Sequence, residues 1–204
     1  MTQRVAILLD GGFLTKKLSR RFHRYPTPTD IDDECQRVLA LPALKDTQLL
    51  RIYFYDAPPL QKVIVNPLDG TRCDLGTTST ATNAASLQEG LELLPNFAVR
   101  RGQLQILGWK LGAAALKSIH KSPRTPIAAD FVPDIKQKGV DLRIGLDIAW
   151  ISLKRLVDII VVVTGDADLV PSFKLARREG VRIYLDHMGH AVSRDLKVHV
   201  DMIL

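Results

Sequence analysis

One stretch limits the possible folds more than any other: the uninterrupted run IIVVV, Ile159 to Val163. Every residue in it is β-branched, which stiffens the side chain and favours an extended backbone. A run with no polar position cannot alternate between a wet and a dry face. It reads as a strand buried on both sides, the habit of parallel sheets covered by helices. RVAILL, Arg4 to Leu9, has the same character and stops at Asp10-Gly11-Gly12.

The rest of the chain alternates strands with helices, the pattern of right-handed βαβ crossovers. Phe13 to Arg24 predicts a basic helix, and Thr29 to Leu41 a second, with Thr29 and Asp32 as a capping box. Leu50 to Tyr55 is a strand ended by Asp56 and Pro58-Pro59. From Leu60 to Pro95 the signals weaken, and TTSTATNAAS (Thr77 to Ser86) reads as a loop or exposed helix start. Phe97 to Arg101 and Gln103 to Lys110 alternate around Arg101-Gly102 like a hairpin. Lys110 to Pro126 is a mobile basic segment by composition. Asp141 to Leu156 predicts a helix with Leu142, Leu146, Ala149, Leu153 and Leu156 on one face. A helix from Asp168 to Glu179, with Pro171 in its first turn, is stopped by Gly180. Val181 to Leu185 and His199 to Leu204 are the last strands. The expected fold is α/β: a single Rossmann-like domain over residues 1–204, a mainly parallel sheet with helices on both faces, and a less regular basic insert around 60–130.

Function is carried by acids at strand ends, because ligands of open parallel sheets bind outside the carboxyl ends of the strands. Asp10 follows the first strand, and Asp166 follows the 159–163 strand with Asp168 two residues on. Asp141 opens the helix that feeds that strand. Two carboxylates about 5 Å apart repel by about 3 kcal/mol at an effective dielectric near 20. A cluster of them calls for a cation, and all-oxygen donors suit Mg²⁺ or Mn²⁺. Such ions activate water and offset charge on a phosphodiester, so metal-dependent hydrolysis is the expected chemistry. Asp168 is expected to cap its helix, whereas Asp166 has no evident capping role.

Three segments also carry a resemblance: VAILLDGGF, KGVDLRIGLDIAW and VVVTGDADLVP. Together they resemble the NYN domain of the LabA-like group, within the PIN-like nuclease superfamily. The resemblance implies a Rossmann-like sheet with the first strand central, an acidic metal site and ribonuclease activity. It puts the acidic positions on Asp10, Asp141, Asp147, Asp166 and Asp168, and Thr164 where serine is common. Asp147 lies six residues past Asp141, about 9 Å along a helix and on another side of it, so it ranks last as a ligand.

Around the acids, Gly11 and Gly12 open a helix whose N-terminus suits a phosphate. Lys16 and Lys17, in the run ending at Arg24, and Lys138 are backbone contacts for a nucleic acid. The net charge of +6 favours a polyanionic partner, and single-stranded RNA is the expected one. Trp109 and Tyr53 offer base stacking, but core packing explains both more simply. The sequence leaves room for a homo-oligomer. With two cysteines, no CxxC, no N-terminal signal pattern and no apolar run approaching ~20 residues, a cytoplasmic protein without a membrane span is expected. No Gly-x-Ser-x-Gly, Walker A or Gly-x-Gly-x-x-Gly pattern is present, which argues against triad hydrolase, NTPase and dinucleotide readings. The rival readings are a catalytically weak RNA-binding module of the same fold and a haloacid dehalogenase-type phosphatase. The latter needs a second Asp where Gly12 stands.

Overall fold

The computed structural model describes residues 2–204. β1 (Arg4–Asp10) leads into α1 (Gly11–Phe22), and α2 (Pro28–Leu39) returns the chain to β2 (Gln48–Asp56). β3 (Val63–Val65) and β4 (Arg72–Asp74) form a small antiparallel pair before α3 (Ser79–Glu92) and β5 (Phe97–Arg101). Then come β6 (Gln103–Leu111), α4 (Ala113–Lys121), β7 (Phe131–Lys138) and α5 (Val140–Leu153). The last third holds β8 (Ile159–Val163), α6 (Val170–Arg178), β9 (Arg182–Asp186), α7 (Arg194–Val198) and β10 (Met202–Ile203).

Six strands build the central sheet in the order β10-β9-β8-β1-β2-β5, with every pairing parallel. Numbered by their sequence within that sheet and read from the β5 edge, the order is 3-2-1-4-5-6, the doubly wound arrangement. The direction of winding reverses between β1 and β8, which are the two strands of unbroken apolar sequence. Their residues alternate between two cores. Ala6, Leu8, Ile160 and Val162 pack with Ile144, Ile148 and Phe173 from α5 and α6. Val5, Ile7, Leu9, Val161 and Val163 pack with Leu14, Ile31 and Leu87 from α1, α2 and α3. Helices therefore cover both faces, as a sheet of this composition requires.

Several local expectations are corrected. The capping box is formed by Thr27 and Asp30, two residues earlier than Thr29 and Asp32, with Pro28 in the first turn. Phe97–Arg101 and Gln103–Lys110 are not a hairpin. β5 pairs in parallel with β2, and β6 pairs antiparallel with β7 to make a separate two-stranded arm. The basic segment 110–126 contains α4, and Thr77 to Ser86 begins α3, capped by the Thr78 side chain. On α5 the apolar face read from sequence is largely the outer one. Leu142, Leu146 and Leu153 are 65%, 59% and 58% exposed, while Val140, Ile144, Ile148 and Ile151 are buried. The helix is apolar on both sides, so periodicity alone does not choose between them.

Candidate active site

The switch point between β1 and β8 lies where the two strand ends diverge, and the acids gather there. Asp10 ends β1 and caps α1, its Oδ1 accepting the Phe13 backbone N–H at 3.1 Å. The turn is possible because residue 11 is glycine. A Cβ there would meet the Tyr55 carbonyl oxygen at 2.6 Å and the Phe54 ring at 2.8 Å. Thr164, fully buried just past β8, ties the two strand ends together. Its hydroxyl donates to Asp10 Oδ2 at 3.1 Å and accepts the Asp166 N–H, also at 3.1 Å. Asp166 caps the short turn Ala167–Leu169, its Oδ1 accepting the Asp168 N–H at 2.9 Å. This corrects the sequence expectation: the capping role belongs to Asp166, and Asp168 sits inside the turn ahead of α6.

Asp141 reaches the same rim from β7. Gly139, at φ 73°, takes the left-handed conformation that turns the strand into α5, placing Asp141 in the helix's first turn. Electrostatics shows the convergence. Burial raises the pKa of Asp10, and the negative charges of Asp141 and Asp166 add to it, against the Phe13 and Thr164 hydrogen bonds. Asp141 is raised by burial and by Asp166 and Asp168.

A further acid, read from sequence only as the end of a strand, belongs to this group. Asp56 follows Tyr55, the residue paired with Asp10 in the sheet, and its pKa is pushed up to about 6 by burial with help from Asp10. Its Oδ1 accepts from the Ala57 N–H at 2.8 Å and from Gln137 Nε2 at 3.3 Å. The signal available in sequence was its place at the end of the strand next to β1. Asp147, by contrast, has other partners: it accepts the Tyr55 hydroxyl at 2.9 Å and lies 3.2 Å from Arg100 Nε.

The basic and phosphate-binding candidates line the same edge unevenly. Gly12 is exposed at the start of α1, close to Gln137 and to Asp10 Oδ1. Lys17 Nζ stands 5.5 Å from the Phe13 ring centre, and that ring abuts Gly165 and lies edge-on to His190. Lys16 is exposed on α1 and Lys138 is exposed at the end of β7, next to Gly139. Tyr53 packs in the core with Arg100 over its ring, 5.4 Å from the centre.

Carboxylate oxygens are the donor chemistry of a hard divalent cation. Among the described residues, no three His, Cys, Asp or Glu side chains converge closely enough to hold an ion together. The rim is thus an open arc rather than a closed cage. That fits Mg²⁺, which keeps several waters and takes one or two carboxylates plus substrate phosphate oxygens. Asp10 retains acceptor capacity on both oxygens beyond its two hydrogen bonds.

A fully parallel doubly wound sheet of this order is a Rossmann-like fold, consistent with the PIN-like class. Residues 102–201 match the family model of the NYN domain, which belongs to the PIN-like nuclease superfamily. The family generally comprises ribonucleases, and PIN-like nucleases typically use divalent metals. The match covers Asp141, Asp166 and Asp168, while Asp10 and Asp56 lie on the N-terminal strands outside it. Among solved structures, a protein of unknown function from Vibrio parahaemolyticus shares the fold, with TM-score 0.53 and 13% identity over 100% of this chain and 92% of the other. No curated protein matches the chain. Among the described residues, no helix is long and apolar enough to cross a membrane.

Proposed function

We propose that this protein is a ribonuclease that hydrolyses single-stranded RNA with Mg²⁺ or Mn²⁺ at the rim formed by Asp10, Asp141, Asp166 and Asp168. The observation that carries the reading is the Thr164 hydroxyl joining Asp10 to the Asp166 backbone at the switch point, where the charges of Asp141 and Asp166 add to burial in raising the Asp10 pKa. Uncompensated, that arrangement costs folding stability, so it is better explained as a cation site than as structural support. The motif likeness to the LabA-like group points the same way.

When bound, the ion polarises a phosphodiester oxygen and makes a coordinated water more acidic. The chain's own residues do the rest. Asp10 and Asp166 would hold the cation, with the Thr164 hydroxyl joining the Asp10 carboxylate to the Asp166 backbone. Asp141 and Asp168 complete the negative arc, and Asp147 acts at most indirectly, through the Tyr55 and Arg100 contacts that fix α5. In hydrolysis the water oxygen bonds to phosphorus as the bond to the leaving ribose oxygen breaks; a rim carboxylate takes the water's proton, and the leaving oxygen takes one from solvent. The Gly11-Gly12 start of α1 offers backbone N–H groups to a phosphate, and Lys16, Lys17 and Lys138 hold the flanking backbone. The full chain 1–204 works as one unit in this reading, with the region around 60–130 as an insert. The free thiols of Cys35 and Cys73 suit a reducing cytoplasm.

The test is cleavage of a labelled single-stranded RNA by the wild type with Mn²⁺, by the wild type with EDTA, and by Asp166→Asn. Cleavage is expected only in the first, with a loss of about a hundredfold or more in the variant, the effect of several kcal/mol of lost charge stabilisation. RNA that is retarded on a gel yet left whole under all three conditions contradicts catalysis and supports the binding module.

A further inference from the structure

Beside the acidic rim lies a second feature that the hydrolytic chemistry does not use. A cleft of about 470 Å³ opens between the start of α1, the loop after β2, the start of α3 and the β6–β7 arm. Gly12 and Asp56, both beside Asp10, line it, so the cleft borders the rim. Pro59, Leu60, Ala84, Leu104 and Ile135 make its walls mainly apolar, and the Tyr25 hydroxyl with Thr78 and Thr80 provides a few polar points. Its size is that of a small-molecule site, commonly ~300–1,000 Å³.

The lining contains no lysine or arginine, and its one charged residue is the acid Asp56. A phosphate is therefore unwelcome inside, although the rim next door is suited to one. A flat, neutral, partly apolar group with hydrogen-bonding edges fits these walls. We infer that the cleft is a nucleobase subsite: the base of the nucleotide beside the scissile phosphate enters it while the phosphate lies at the acids. This rests on the ribonuclease reading and adds substrate selection to it. A base can enter only if it is unpaired and unstacked, so the cleft selects single-stranded over duplex RNA.

The experiment has two arms that fail separately. In the first, the fluorescent nucleoside 2-aminopurine riboside, which carries no phosphate, is titrated into the wild type, Ala84→Phe and Leu104→Trp. The two variants fill the cleft from different elements, and thermal melts confirm that each is folded. In the second arm, the wild type cleaves single-stranded RNA carrying one abasic residue. The expected results are probe binding weakened about tenfold or more in a folded cleft-filling variant, and cleavage beside the abasic residue slowed by a similar factor, the scale of one lost base contact. Undiminished probe binding in both folded variants, or unchanged cleavage beside the abasic residue, overturns the subsite while leaving the nuclease intact. Probe binding that depends on the cleft in a protein that cuts no RNA supports the base site and overturns hydrolysis instead.

Discussion

Asp56 is the residue whose environment departs furthest from its sequence context. Nothing in YDAPP distinguishes a catalytic acid from one that ends a strand in a turn. Only the pairing of Tyr55 with Asp10 across the sheet brings its carboxyl beside another, and burial then pushes its pKa up to about 6. A carboxyl whose folded pKa lies above its unfolded value of 3.8 contributes stability that is full below that value and is lost as pH rises through about 6. In EDTA, Asp56→Asn is therefore expected to be more stable than the wild type at pH 7, by about 1–3 kcal/mol, with the difference shrinking towards pH 4. Urea unfolding at the two pH values measures this, and an equal effect at both contradicts it. The places of Asp10, Asp141, Asp166 and Asp168 at strand and helix ends are legible because each stands in a short motif. The Thr164 bridge was foreseen only as a nearby hydroxyl, since its two partners are set by the sheet.

At the scale of elements, β1 and β8 are legible with nearly their observed bounds, because short apolar runs closed by turn residues favour buried strands. The sequence places helix α5 correctly, yet its periodicity puts the buried face on the wrong side. Ile144, Ile148 and Ile151 face the sheet, whereas Leu142, Leu146 and Leu153 face outward beside the 52% exposed Trp150. β5 and β6 resemble a hairpin in sequence because both alternate and only a glycine separates them; the choice of partner is made by β2 and β7, outside that stretch. The assignment of faces is measurable. Ile148→Ala is expected to cost about 2–5 kcal/mol by denaturant unfolding, the range for a buried large-to-small change. Leu146→Gln should change stability by no more than about 0.5 kcal/mol. Comparable losses for both variants would place the two side chains in equivalent surroundings and contradict the observed packing.

For the whole molecule, topology does what local sequence cannot. Winding outward in both directions from β1 and β8 leaves a crevice at their carboxyl ends, with acids from β1, β2, α5 and the turn after β8 spaced around it. The two-stranded arm of β6 and β7 leans towards the same edge, with Gln137 contacting Asp56 and Ile135 lining the adjoining cleft. The NYN match begins in that arm and covers only part of the acidic set, so the complete rim depends on the N-terminal strands as well. Crystals soaked in Mn²⁺ and measured for anomalous scattering locate the ion directly. A manganese peak at the switch point, within about 2.1 Å of a carboxylate oxygen of Asp10 or Asp166, is the expected result. Crystals that take up manganese elsewhere, with no peak between β1 and β8, would contradict the proposed metal site.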